Sequence, residues 1–308
     1  MNHLVFGGTI SESVTLDILD SGAPYVVVSD WIVSSRATLT IRPGVVIKFD
    51  SRTGLSVDGT LIAKATPDQP IYFTSLKDDS VGGDTNGDGN ASTPSQADWS
   101  SLSLKSGSQD NELDNVMIRY GYGIRVYTSS LTVVSNSTIE KNSGVGIYVS
   151  NALSSITGNK IKDNGYGISA SSSSATITGN TITGNTDYAI LLKNDPFDNT
   201  ISGNTITGNG INCFCIGGTI SKPVTLSAYE HGEIYVVHSD MTVSEEGKLT
   251  IDPGIILKMG PSTDITVNGT LEANGTPEQP IYFTSLKDDE TGNDDTNGDG
   301  PGQVRSGI

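Results

Sequence analysis

The sequence predicts an all-β chain wound as a right-handed parallel β-helix, with about three strands and about 22 residues in each coil. Three observations predict it. A glycine-then-isoleucine step recurs at Gly123-Ile124, Gly146-Ile147, Gly167-Ile168, Ala189-Ile190 and Gly210-Ile211, so that the isoleucines fall 23, 21, 22 and 21 residues apart. A period of that length marks a solenoid built from stacked, self-similar turns. Within each period short runs alternate apolar and polar residues, as in Thr176-Ile177-Thr178 and Thr181-Ile182-Thr183, the pattern of strands with one buried face. The same segments are dominated by Ser, Thr, Asn and Gly, which are poor in helix interiors, and they lack apolar spacing of three and four.

Each coil carries three apolar runs. One is the Gly-Ile segment. A second holds Val133, Ile156, Ile177 and Ile201; a third holds Ile139, Ile161, Ile182 and Ile206, each a few residues after Asn136, Asn159, Asn180 and Asn204. Gly and Asn collect between the runs, where corners require positive φ. Stacking brings equivalent residues about 4.8 Å apart, close enough for side-chain amides to bond from coil to coil. Asn136, Asn159, Asn180 and Asn204 are expected to form one such ladder, and Asn142, Asn164, Asn185 and Asn209 a second.

A longer repeat overlies the short one. Val5 through Gly82 aligns without gaps onto Cys215 through Gly292, and the run Pro70 to Asp79 recurs intact as Pro280 to Asp289. Residues 1–212 therefore form one unit, with an acidic loop inserted at 78–98, and residues 213–308 form a partial second copy continuous with it. Solenoid ends expose unpaired backbone and an apolar cross-section, and no amphipathic capping helix is evident. The expectation is a piece of a tandem array or a subunit that stacks end to end on itself, a contact that makes fibres when it does not close.

The sharpest local motif is Asp84-Thr85-Asn86-Gly87-Asp88-Gly89, which returns as Asp295-Thr296-Asn297-Gly298-Asp299-Gly300. Oxygen ligands at alternate positions, with glycine where the backbone must bend, suit Ca²⁺. The expected calcium ligands are Asp78, Asp79, Asp84, Asn86 and Asp88 in the first loop, and Asp288, Asp289, Asp295, Asn297 and Asp299 in the second. Calcium would order the insertion and let Trp99 re-enter the wall.

The formal net charge of −17 and pI near 4.3 argue against nucleic acid, which needs clustered Lys and Arg, and against anionic membrane surfaces. No apolar run is long enough to span a bilayer, so no membrane insertion is expected. Met1-Asn2-His3-Leu4 does not read as a signal peptide. The composition suits an extracellular or cell-surface protein. Cys213 and Cys215 stand at i and i+2, about 6.5–7 Å apart in a flat strand. That is too far for an unstrained disulfide, and both read as small core residues.

Catalytic signals are sparse. The acids Glu140, Asp163, Asp187, Asp195 and Asp198 do not recur in matching positions, and Asn185-Thr186-Asp187 is the one fragment of the polygalacturonase pattern. No catalytic residue is expected. Tyr122, Tyr166 and Tyr188 share one repeat position and Tyr148 lies nearby; such a row can stack on sugar rings or pack at a corner. A carbohydrate-binding module, or a polysaccharide lyase or hydrolase, is the alternative to a structural or adhesive one.

The central coils, with Thr-Ile-Thr-Gly-Asn at 181–185 and Gly-Ile-x-Val at 146–149, resemble NosD-like and carbohydrate-binding-and-hydrolase (CASH) repeats of the pectate-lyase-like superfold. The flanking segments Leu39–Phe49 and Val57–Ala63 are similar to β-helix modules of bacterial surface proteins, and the acidic loop resembles dockerin and thrombospondin-type calcium loops. The resemblance implies a secreted or surface-exposed solenoid, often with polysaccharide as substrate or neighbour.

Overall fold

The computed structural model describes residues 3–195, 198–229, 232–292 and 295–297. It is a parallel β-solenoid of about 13 turns with about 22 residues per turn. Among the described residues no helix is long and apolar enough to cross a membrane. Every strand pairing is parallel, and registers follow the repeat. Ile124 lies against Ile147, Ile147 against Ile168, and Ile168 against Ile190, all fully buried. A second wall stacks Val134, Ile156, Ile177 and Ile201, and a third stacks Ile118, Ile139, Ile161, Ile182 and Ile206. β-branched residues suit these walls because each packs on its own kind above and below.

Two expectations shift by one residue. Val134, not Val133, faces the axis, because the strand Thr132–Ser135 begins one position later in phase. Asn136 stands outside the amide ladder. It adopts φ 48° at an exposed corner and donates its amide to Asp114, while Ser137 takes the ladder position: its hydroxyl accepts from Val116 N–H at 3.1 Å and its own N–H donates to Asn159 Oδ1 at 3.0 Å. The remaining amides form two ladders, Asn159–Asn180–Asn204 and Asn142–Asn164–Asn185–Asn209. In each, the side-chain oxygen accepts from both the backbone N–H and the amide of the preceding Asn. Asn180 Oδ1, for instance, accepts from Asn159 N at 2.9 Å and Nδ2 at 3.0 Å, while Asn180 Nδ2 donates to the carbonyl of Ile156. The ladders thus satisfy corner groups that strand pairing leaves free.

The two sequence copies share some contacts at matching positions. Tyr25 donates its hydroxyl to Asp17 O and Tyr235 to Ser227 O. Lys48 and Lys258 are both fully buried. Where the copies meet, however, only one wall is continuous. Leu191 pairs with Cys215 and Cys215 with Val236. Among the described residues the second wall stops at Thr200–Ser202, a new sheet starts at Pro223–Leu226, and no strand pairs onto the far side of Thr205–Thr207. The strand Ile211–Ile220 also carries one extra residue: Tyr188 pairs with Ile211, but Ile190 pairs with Phe214. Phe214, not Ile211, therefore continues the axial row, and Ile211 joins a separate apolar cluster outside the main core. The Gly210-Ile211 step keeps the spacing of the repeat but not its direction.

The last described coil is less covered than its counterpart. Val267 (40%), Leu271 (38%) and Phe283 (49%) are exposed, whereas their equivalents Val57, Leu61 and Phe73 are fully buried. In the first copy the next coil covers them: Val57 pairs with Leu104 and Phe73 with Ile118.

Candidate functional site

Two places gather chemically interesting side chains: the acidic loops and the seam between the copies. The first loop leaves the wall after Ile71–Ser75 and returns at Trp99, which is fully buried, stacks on Phe49 at 4.4 Å and donates Nε1–H to Arg119 O at 2.8 Å. The loop therefore re-enters through packing on Phe49 and a bond to the following coil.

Asp78, fully buried at the loop's root, accepts from Thr74 Oγ1 at 2.5 Å and Ser80 Oγ at 2.6 Å, and pairs with Arg119 Nη2 at 2.6 Å. Burial alone would raise its carboxyl; these hydroxyls and the guanidinium outweigh burial and hold it below the usual carboxylate range. Arg119 also lies 3.7 Å from Glu140, which pairs with Lys162 at 3.0 Å, so charges alternate up successive coils. Cross-strand pairs of opposite sign support a sheet where like charges would oppose it. Asp98 closes the loop through Lys77 Nζ at 2.8 Å, Ser75 and the N–H of Ser95.

Above this root the DTNGDG turn is internally bonded. Asp84 accepts from the N–H groups of Gly87 and Gly89, and Asp88 from Asn86 Nδ2 and Ser92 Oγ. Of the residues expected to bind a cation, Asp79, Asp84 and Asp88 place one carboxylate oxygen each within 4.8 Å of the others. Asp78 is turned away to Arg119, and Asn86 is spent on Asp88 and Ser92. The loop's counter-charge is a protein ammonium group. Lys48 reaches out of the wall beneath the loop and donates Nζ to Gly83 O at 2.6 Å, and it lies within the field of Asp78, Asp79 and Asp84. Burial lowers its ammonium and the three carboxylates oppose that.

The second loop repeats the device. Lys258 Nζ meets Thr296 Oγ1 at 2.6 Å, and Thr284 donates to Asp288, whose carboxyl is held down at about 2, first by that hydroxyl and then by Thr291. Asp289 has both oxygens buried without a hydrogen-bond partner, and Asp79 has one. Asp295 and Asn297 are described; Asp299 lies outside the described residues. The buried threonine of the motif, Thr85 or Thr296, and the buried lysine were invisible to ligand counting. The signal available was the lysine conserved between copies, Ile47-Lys48-Phe49 and Leu257-Lys258-Met259, where strand alternation puts Lys on an outward position that should not be dry.

The tyrosines do not form one uniform row. Tyr188 is buried and stacks on Tyr166 at 4.7 Å. Tyr148 packs edge-on against Tyr127, with Arg125 5.8 Å above its ring, and Tyr122 is exposed.

At the seam, Cys213 and Cys215 are free and buried among Tyr188, Leu191, Ile211 and Val236, with Tyr166, Ile234 and Leu286 packed against them. Burial, first, and the neighbouring Cys213 push the Cys215 thiol well up from its ordinary value. Cys213 also lines a cavity of about 370 Å³ with Asn212, Glu233, Ile234 and Gly292.

Comparison with known proteins gives one family. The family model described as "Periplasmic copper-binding protein (NosD)" matches residues 49–227, more than half of the chain. No curated protein matches, and no solved structure matches. The calcium expectation is thereby corrected. The family is described by copper, and Lys48 supplies from within the fold the positive charge that the first loop was expected to take from Ca²⁺. Copper selects imidazole, thiolate and thioether, so the carboxylate set Asp79, Asp84 and Asp88 does not suit it. Among the described soft donors, His3 is exposed at the start of the chain, Met241 is buried in the core and His238 packs on Tyr188. Cys213 and Cys215 share the buried cluster at the seam, and thiol sulfur is the donor type that suits the cuprous ion.

Proposed function

The chain belongs to the NosD family of periplasmic β-helix proteins, and from that premise we propose that it serves as a rigid scaffold of the cell envelope. The observation that carries this reading is the stacking of the central coils, where Ile124, Ile147, Ile168 and Ile190 bury one against the next and asparagine amides bond from coil to coil at two corners. Coils tied to both neighbours in this way hold one another rigid along the axis.

Amide exchange resolved along the chain tests it. The central coils are expected to exchange slowly and together, and Asn164→Ala is expected to speed exchange in the coils on both sides of it. Fast exchange of the amides around Ile161 and Ile182 in the unmodified chain refutes the rigid rod.

A further inference from the structure

The corner between the second and third walls changes size along the rod. Between the strands Thr60–Lys64 and Ile71–Ser75 it takes residues 65–70, folded back by a bond from Gln69 N–H to the Thr66 carbonyl at 3.1 Å. In the coils that follow it shrinks to Asn115, then to Asn136-Ser137, then to Gly158-Asn159. The long corner overhangs the short ones stacked after it. A cavity of about 220 Å³ lies alongside them, from Pro67 and Pro70 of the overhang to Gly158 and Lys160. Its floor is one outward row, Met117, Thr138 and Lys160, paired in register on successive strands and about 4.8 Å apart. A Cβ at Gly158 would come within 3.1 Å of Asn136 Oδ1, so the glycine keeps the far end open.

The chemistry of the groove is graded along its length. Pro67, Pro70 and Met117 make the overhung end apolar. Thr138 adds a hydroxyl midway. The acid of this corner, Asp114, is already engaged, accepting from Asn115 Nδ2 at 3.0 Å, Ser135 Oγ at 2.8 Å and Asn136 Nδ2 at 2.8 Å. Lys160 closes the far end, and among the described residues it has no ion pair, whereas Lys162 on the same strand pairs with Glu140 at 3.0 Å. In a chain with 35 acids against 18 lysines and arginines, most cations have an acid to hand and this one faces a cavity instead.

We propose that this groove binds a small monocarboxylate with a short apolar tail. The carboxylate meets Lys160 Nζ and the Thr138 hydroxyl, and the tail runs over Met117 toward Pro67 and Pro70. A mostly apolar cleft with a few placed polar groups is the usual form of a small-molecule site. Charge sets the sign of the ligand, and the apolar end sets its shape. Met117 and Lys160 are two strand spacings apart, about 10 Å, a span that calls for a carbon chain beyond the carboxylate. The turn that matches the overhang in the second copy, at Gln279 and Pro280, borders a cavity lined by Glu233 and Glu278, which repel a carboxylate. The ammonium group is exposed, so its share of the affinity is modest, and the expected Kd is on the order of 1 mM.

The test is a titration of the purified chain, labelled with ¹³C at its methionine methyls, with pentanoate. The methionines are Met1, Met117, Met241 and Met259, so the methyl of Met117 reports on the groove and that of Met241, in the core, is the internal control. The expected result is a saturable shift at Met117 and none at Met241. Pentanamide and the Lys160→Gln variant each bind about fivefold more weakly, the upper range for an exposed ion pair. Acetate, which lacks the tail, leaves Met117 unmoved, and Lys162→Gln leaves the pentanoate titration unchanged. No saturable shift at Met117 in the unmodified chain overturns the proposal. So does pentanamide binding as tightly as pentanoate, or a Lys160→Gln titration that superimposes on that of the unmodified chain. An equal loss in Lys162→Gln overturns it too, since that marks a general effect of charge.

Discussion

Replacing Arg119 by methionine isolates the fastening of the first acidic loop. The guanidinium contributes an ion pair to Asp78 at 2.6 Å, a bond to Ser80 at 2.6 Å and a longer contact to Glu140, and it sits over the rings of Tyr72 and Tyr120. Its side chain is 12% exposed and that of Asp78 1%, so solvent screens the pair little. Removing one partner of a buried pair costs about 3–5 kcal/mol because the other charge is left uncompensated. Thr74 and Ser80 still hydrogen-bond Asp78, which sets the expectation at the lower end, about 3 kcal/mol. A solenoid loses structure locally before it unfolds globally, so the readout is amide exchange resolved along the chain. Protection at 76–98 is expected to fall by more than a hundredfold, as about 3 kcal/mol requires at 1.4 kcal/mol per decade, while the amides around Ile161 and Ile182 hold theirs. Asp78→Asn combined with Arg119→Met is expected to recover more than half of the loss, since the buried charge is then gone. Unchanged loop exchange in Arg119→Met, or strict additivity in the double variant, refutes the reasoning.

Further outcomes follow from the same contacts. The Asp78 and Asp98 carboxyls are depressed in the fold, so the stability they contribute is present above the ordinary carboxylate value of 3.8 and is lost as pH falls through their folded values; Asp288, at about 2, is the one with a defined window. Loop exchange measured from pH 5 down to pH 2 checks this, and a loop equally protected throughout contradicts it. Lys48→Met is expected to loosen the first loop more than excess chelator does, because the loop's counter-charge is the ammonium group; melting curves of the two samples decide. Asn180→Ala orphans Asn159 N–H and the Ile156 carbonyl, at about 1–3 kcal/mol for each buried group left unpaired, and denaturant titration followed by circular dichroism measures the loss.

Periodicity made the rod legible because every coil solves the same packing problem. One inward isoleucine per wall and one amide per corner suffice, and those residues recur at intervals the eye can count. The failures share a cause. Asn136 and Val133 resemble the ladder asparagines and wall isoleucines of later coils but stand one position off, because the corner before Thr138 carries its positive φ on Asn136 where the later coils use Gly158, Gly179 and Gly203. The Gly210-Ile211 step preserved spacing across a bulge that spacing cannot see. The acidic loop departs from expectation for a related reason. Counting oxygen atoms along a loop identifies possible ligands, but whether they need an external cation depends on what rises from the wall beneath, and Lys48 is some thirty residues away in sequence.

The seam shows why irregularity is the more informative feature in a repeat protein. In the coils, a residue is fixed by its neighbours above and below, and any change must be tolerated by a ladder. Asn164, bonded to Asn142 and Asn185 through side chain and backbone, has no freedom to acquire chemistry. At the join of two units that constraint lapses: two walls end, a strand gains a residue, cavities open beside Phe214 and Cys213, and side chains of unusual type are free to persist. Position 213 is a cysteine where the first copy has His3, and position 215 a cysteine where it has Val5. The thiols therefore belong to the join and not to the repeat. A unit duplicated for length would carry the repeat's residues through the junction; a junction with its own soft donor pair is the part of this rod that its architecture alone does not explain.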